Sequence, residues 1–408
     1  IQQVSAEAML GLGSCVAPLL LGCSATMSAP TSRPVHPCVL SLTQYTRGVE
    51  HSVWAHITTD TGTEELPNLV TASASTICVY SLHPKTGILR LEHAFGNLAG
   101  SVIFLSKLSC STEKDVLLVG FAGHPRIGVL SVTDSVLRAE SLWDLSSSLK
   151  AAGHGEESVK DAVIECLSNQ SGLATIGCIL GGGISVALLQ VSYSQEVRGW
   201  IAIDPFVLPL VAISQSFAHV SRDTSMNANV LTGLSSGFGD ILSITFLTGF
   251  LESVVVLLHS APGGSTTTFR LGRSSDESGA PPLYLTALSV GVSHQRAAVL
   301  WSRVVPSDVF SLCLLEHSST LLCLGANTFV MVDHLSYIKQ MIAVNGWAKT
   351  SCPVSLRSKL KPNPFMKLSL SLDGSCVVSL SDTCVLISLR GGQLYSLEYV
   401  LETWGIVP

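Results

Sequence analysis

Short apolar runs separated by clusters of glycine, serine, asparagine and aspartate recur along the chain from Leu69 onward. NLVTAS, STICVYSL, ILRLEHAF and SVIFLSKL follow one another between Asn68 and Leu108. Four strands in about 40 residues is the size of one β-propeller blade. DVLLVGF, IGVLSV and LRAESLWDL come next, from Asp115 to Leu145. ATIGCIL and ISVALLQV then read as a hairpin around Gly181 to Gly183. The segment from Asp240 to Ser260 predicts two more strands, Ile241–Leu247 and Ser253–Leu258, folded back through Thr248-Gly249. β-Branched side chains such as Val254, Val255 and Val256 fit a pleated sheet, and a run with no polar face is buried on both sides.

The last third repeats the theme. VFSLCLLEHSSTLLCLGANTFVMVDH predicts three strands, and the stretch from Met366 to Val400 predicts four, turning at Asp373-Gly374, Ser381-Asp382 and Gly391-Gly392. Asp-Gly and Gly-Gly supply the positive backbone dihedrals of tight hairpins. Lys150–Glu157, Ser214–Gly239 and Gly263–Gly279 read as loops, and only Ser146–Ala152 and Ser158–Cys166 could hold a short helix. Successive meanders with no Greek-key return favour radial packing, because one meander alone leaves both faces and edges exposed. The expected fold is therefore all-β: a WD40-like β-propeller of four-stranded antiparallel blades. Trp143-Asp144 stands alone, without a spaced Gly-His partner, and reads as a chance pair in a strand end.

Composition narrows the classes. Hydrophobic residues make up 47% and charged residues 13%, about half the usual share of roughly a quarter. Such a chain suits buried strands and not disorder. A formal charge of −6 argues against a broadly basic nucleic-acid binder, which gains affinity by displacing counterions from phosphates. The 12 cysteines are scattered and form no CxxC pair. Cys78, Cys178, Cys313, Cys323 and Cys384 sit inside apolar strands, where reduced cysteine behaves as a small hydrophobe in a reducing compartment. Leu10–Cys23 is apolar, but no basic residue precedes it and it is shorter than the roughly 20 residues of a membrane span. Residues 1–64 read as a leader carrying a first partial strand, with Met27 as a start, and residues 65–408 as the propeller.

Candidate chemistry is sparse. Gly233-Leu234-Ser235-Ser236-Gly237 matches the nucleophile-elbow formula, whose serine lies between a buried strand and a helix. Here a polar loop precedes Ser235 and a strand follows, so the context fails on both sides. Gly181–Gly183 has no following lysine or helix N-terminus to make a phosphate cradle. His51 and His56 are five apart, on opposite faces if extended, and His259, His294, His317 and His334 fall at strand ends. No paired carboxylates share a strand face. The residues assign no catalytic, metal or cofactor site.

Several of these segments carry a resemblance. FLTGFLESVVVLLHS is similar to the pattern F-L-x-G-Y-x-E-P-T-L-L-I-L, with Phe246, Leu247, Gly249 and Glu252 matching, Phe250 in place of the tyrosine and Ser253 in place of the proline. The pattern belongs to the first propeller of a family of very large proteins. They include the largest subunit of the cleavage and polyadenylation specificity factor, the large damaged-DNA-binding subunit and a propeller subunit of splicing factor 3b. NLVTASASTICVYSL, LEHAFGNLAGSVIFLSKL and DVLLVGFAGHPRIGVLSV resemble that propeller's opening strands in the same order. AAVLWSRVVPSDVFSLCLL resembles V-I-W-S-L-x-x-L-P-F-D through Leu300, Trp301, Ser302 and Pro306, and LISLRGGQLYSLEYV resembles I-S-L-K-G-G-E-I-Y-V-L-T-L. Between Ser146 and Gly239 the pattern is not followed.

The last two segments look most like the polyadenylation-factor branch. The resemblance implies a seven-bladed first propeller, incomplete or open at its seam, cut from a longer multi-propeller protein. It implies a non-enzymatic nuclear scaffold of pre-mRNA 3′-end processing. Such a scaffold would hold partner subunits that recognise RNA, with no membrane and no small-molecule substrate. The ubiquitin-ligase and spliceosomal branches are the alternatives, and a hydrolase using Ser235 is the outside one.

Overall fold

The computed structural model describes residues 49–407, apart from 58–66, 109–114, 152–158, 214–237, 262–282, 364–369 and connecting stretches of one to four residues. Six antiparallel meanders follow one another along them. The first comprises β1 (His51–Ala55), β2 (Asn68–Ser73), β3 (Thr76–Leu82) and β4 (Leu89–Phe95). The second has β5 (Val102–Leu108), β6 (Val116–Phe121), β7 (Arg126–Thr133) and β8 (Val136–Asp144), and a short helix α1 (Ser146–Ala151) leads out of it. The third has β9 (Val159–Ser168), β10 (Leu173–Leu180), β11 (Ser185–Ser194) and β12 (Gly199–Ala202), with β13 (Phe206–Val207) sharing the edge of β11.

The fourth blade contains β14 (Ile241–Leu247), β15 (Ser253–His259), β16 (Leu283–Gly291) and β17 (Arg296–Val305). The fifth contains β18 (Val309–Leu315), β19 (Thr320–Gly325), β20 (Thr328–Asp333) and β21 (Ile338–Ala343). After the helix α2 (Ala348–Ser351), β22 (Leu360–Pro362) adds to β21 in parallel. The sixth contains β23 (Cys376–Ser381), β24 (Cys384–Ser388), β25 (Leu394–Val400) and β26 (Thr403–Val407).

The first strands of consecutive sheets, β1, β5, β9, β14, β18 and β23, neighbour one another in turn, which arranges the sheets radially as a β-propeller. Six blades are present among the described residues, where the family pattern implied seven. Blade boundaries also move by one strand. His51–Ala55 is the innermost strand of the first blade, and Val102–Leu108, grouped with that blade from its spacing, opens the second. Spacing counts strands but does not show where one sheet ends. Of the candidate helix Ser158–Cys166, Val159–Cys166 lies in the strand β9, which is paired along its length with β10. Residues 370–372 are not in a strand, and among the described residues the fourth strand of the last blade is β26.

Alternation decides which neighbour each strand face meets. In β1 to β3, Ala55, Val70, Ala72, Ile77 and Val79 point towards the second blade and pack with Val102, Leu117 and Val119. Val254–Leu258 of β15 is wholly buried because odd and even positions enter different cores. Val254, Val256 and Leu258 meet the fifth blade, and Val255 and Leu257 meet the third. Burying one such side chain contributes about 1.5–3 kcal/mol. Gly120 is required by the packing, since a Cβ there would fall within the ring of Phe104.

Candidate functional site

β15 ends in a polar chain inside the fourth blade. His259 is fully buried. Its Nδ1 lies 2.9 Å from the Ser260 carbonyl oxygen, and its Nε2 lies 2.9 Å from Thr286 Oγ1. Thr286 Oγ1 is in turn 2.9 Å from Ser302 Oγ. A carbonyl only accepts, so Nδ1 carries the proton and Nε2 accepts from Thr286, which accepts from Ser302. The rings of Phe238 and Tyr284 flank the imidazole at centroid distances of 4.5 and 5.7 Å. Burial holds the His259 pKa down, from 6.5 to about 4, against the opposing pull of the Ser260 carbonyl. A neutral, hydrogen-bonded imidazole in a dry blade ties three strands together and reaches no solvent.

The exposed chemistry lies elsewhere. In an antiparallel meander the turn joining strands one and two and the turn joining strands three and four fall at the same end of the sheet. Phe250 in the β14–β15 turn, His294 in the β16–β17 turn and His334 in the β20–β21 turn therefore share one face of the propeller. A groove of about 630 Å³ opens there, lined by Pro209, Ile213, Glu252, His294 and Arg296. Gly249, at φ +90°, allows the turn that brings Glu252 to Ser289, whose hydroxyl donates to Oε2 at 2.5 Å. Phe250 meets the His334 ring at 6.3 Å, and Leu335 and Tyr337 extend the strip, 59% and 63% exposed. Trp301 Nε1 donates to the His334 carbonyl at 3.0 Å and Arg303 Nε to that of Ser336 at 3.0 Å, pinning this turn of the fifth blade to the fourth.

Other candidates disperse. Ser235, Gly181–Gly183 and His317 lie outside the described residues. His51 belongs to β1, and exposed His56 follows that strand with its backbone N–H bonded to Asp115. Trp143 packs in the core between the second and third blades. Asp144 accepts from Arg126 and from the Ser146 N–H at the start of α1, and these bonds, Ser146 first, hold its carboxyl at about 2. Cys178, Cys323 and Cys352 are buried, and burial pushes the Cys323 thiol far up, which suits inert core residues.

Among the described residues no three His, Cys, Asp or Glu gather as a metal site, and no helix is long and apolar enough to cross a membrane. The residues that carried the family resemblance have structural tasks. Phe246 and Leu247 enter the two cores beside the fourth blade, Trp301 braces the fifth, and Ser302 closes the histidine chain. Sequence reasoning missed the linkage of His259, Thr286 and Ser302. Its only signal was a hydroxyl in the middle of two apolar strands.

The fold and this face define a β-propeller with a turn-built groove. No family model and no curated protein matches the chain.

Proposed function

We propose that the chain is a non-catalytic scaffold, a propeller similar to the first one of the polyadenylation-specificity family. It acts in the nucleus in pre-mRNA 3′-end processing and leaves RNA recognition mainly to its partner subunits. The observation that carries the scaffold reading is the strip of Phe250, Leu335 and Tyr337 beside the Glu252–Arg296 groove. Exposed aromatic and apolar side chains held on braced turns are what a partner interface uses as anchors. The choice of complex rests on the ordered motifs around Phe246, Trp301 and Gly391-Gly392. The −6 charge agrees with indirect RNA contact.

Affinity purification of the tagged chain from nuclear extract tests both levels. Recovery of the cleavage endonuclease and poly(A) polymerase supports the reading, and recovery of cullin or spliceosomal subunits in their place overturns the choice of complex. Phe250→Ala with Tyr337→Ala should lower that recovery at least about tenfold while leaving the melting midpoint unchanged, as loss of interface anchors does. Unchanged recovery removes this face from the interface.

A further inference from the structure

Between Asp333 and Asp373 the sequence carries six lysine or arginine residues and no aspartate or glutamate, in a chain whose overall charge is −6. The fold gathers four of them. β21 takes the chain from the Tyr337 turn to the opposite end of the fifth blade, where Trp347 opens α2. A helical turn (Val354–Lys359) then leads into β22. Lys349 lies in α2, Arg357 and Lys359 in the helical turn and Lys361 in β22, and all four are exposed. Lys339 stays at the start of β21, beside Thr320. The layer is held from beneath. Cys352 and Leu356 enter the core between the fourth and fifth blades, and Leu360 packs against it. The Ser351 carbonyl accepts from the Ser307 N–H at 3.0 Å, and the Cys352 carbonyl from Arg357 Nε at 3.2 Å. The second bond steadies the guanidinium, whose terminal nitrogens can still grip a carboxylate in a fork. Since Leu360 turns into the core, Lys359 and Lys361 on either side of it turn out. Trp347 and Val354, each 69% exposed, stand among these charges.

Counter-charge is lacking around them. Among the described residues the ion pairs are Arg90–Glu92 and Arg126–Asp144, in the first and second blades. Asp308 and Asp373 share this end of the propeller, but they precede the innermost strands β18 and β23, while the cations sit on and between the outermost, β21 and β22. Asp308 also has both oxygens engaged, by Asn327 and Thr328. Glu398, paired with Cys384, shares the Leu386 face of the sixth blade, turned away from the fifth. Like charges on one rim repel one another, so an anion that covers them lowers the energy. Two exposed apolar side chains among the cations fit an occupant that is apolar as well as acidic. A long polyanion would run past the patch onto a surface of net negative charge, whereas a short acidic segment stays within it.

We propose that this rim of the fifth blade docks a short acidic segment of a partner protein. Its carboxylates meet Lys349, Arg357, Lys359 and Lys361, and an apolar side chain of the segment covers Trp347 and Val354. The inference takes from the scaffold reading only that the partner is a protein, and its site lies at the end of the propeller opposite Phe250.

Fluorescence anisotropy with the full 408-residue chain tests this, the probe being a short labelled peptide of aspartate and glutamate around one leucine and one phenylalanine. The peptide should bind, and its Kd should rise with salt. Lys349→Glu with Lys361→Glu should weaken binding at least about tenfold, and Trp347→Ala should weaken it as well. Arg90→Glu with Arg138→Glu makes the same change of charge on the first two blades and should leave the affinity within about twofold. All these positions are exposed, so the fold should survive. Lys349→Gln with Lys361→Gln replaces the charge reversal if that variant does not fold. A labelled oligouridylate of equal charge should bind more weakly than the peptide. No binding of the peptide, an affinity indifferent to salt, unchanged affinity in either fifth-blade variant, or an equal loss in the control variant overturns the proposal. Tighter binding of the oligouridylate assigns the rim to nucleic acid and overturns it too. The recovery of nuclear partners is a separate measurement, so failure here leaves the choice of complex standing.

Discussion

His259 Nε2 and Thr286 Oγ1 lie 2.9 Å apart on adjacent strands of the fourth blade, although 27 positions separate them in the chain. The bond turns a buried imidazole, otherwise a costly polar group, into a cross-strand tie. His259 also faces Tyr284 across its own strand pair, Phe238 just before β14 and the Ser260 carbonyl. None of these groups carries charge near neutrality, and the pull of the Ser260 carbonyl towards the imidazolium is outweighed by burial.

The pH dependence of stability follows from that environment. The folded pKa of His259 is depressed below its unfolded value, so its contribution is complete above about pH 6.5. It is lost as pH falls from there towards about 4, where the folded imidazole also takes a proton. The full loss corresponds to about 3 kcal/mol. Urea titrations of the wild type and His259→Gln between these limits should show the slope in the first and a smaller one in the second. Parallel profiles would contradict the assignment.

Thr286→Val keeps the shape of the side chain and removes its hydroxyl. It leaves His259 Nε2 and the Ser302 hydroxyl without the partner between them. The expected cost is about 1–3 kcal/mol. Thr286→Ser retains the hydroxyl and should lose less. Chemical denaturation of the two variants separates a hydrogen-bonding role from simple packing, which would penalise serine more than valine.

Gly120→Ala should destabilise the second blade by about 1–3 kcal/mol, because its methyl group would enter the space of the Phe104 ring. Phe104→Leu in the same chain shortens that ring and should recover part of the loss. A double-mutant cycle in thermal melts would give a coupling energy of about 0.5–3 kcal/mol for residues in contact. Additive effects would show that the backbone shifts instead.

Asp308 holds the β19–β20 turn of the fifth blade, accepting from the Asn327 N–H at 2.7 Å and from Thr328 Oγ1 at 3.0 Å. Asp308→Ala leaves both donors without this acceptor and should cost about 1–3 kcal/mol. Hydrogen exchange at Asn327 should accelerate first. Protection equal to wild type at that amide would place the stabilisation elsewhere.

Local chemistry made the strands legible. β-Branched runs, alternation, and Asp-Gly and Gly-Gly turns identified the hairpin at Gly249, the three strands from Val309 to Asp333, and the absence of long helices. These depend on torsional preference and on which side chains avoid water, and both are properties of short segments. The same reasoning explains why Val254–Leu258 read as buried on both faces.

Partnership between segments was beyond it. Nothing within Val159–Ser168 shows that it is a strand until β10 lies beside it, and nothing in the spacing shows that Val102 opens a new sheet. The number of blades depends on which faces meet, and six follow only when Ile77 is seen against the second blade and Ile387 against the fifth. The candidate site divides in the same way. Phe250 and Glu252 were visible as a turn, but their meeting with His334, Ser289 and Arg296 joins residues from three turns and two blades. The sequence by itself determined an all-β chain of meanders with few charges and no recognisable catalytic set. The tertiary structure decided the blade count, the buried histidine chain and the groove. Each of these is a contact between residues far apart in the chain, and local preference carries no record of such contacts.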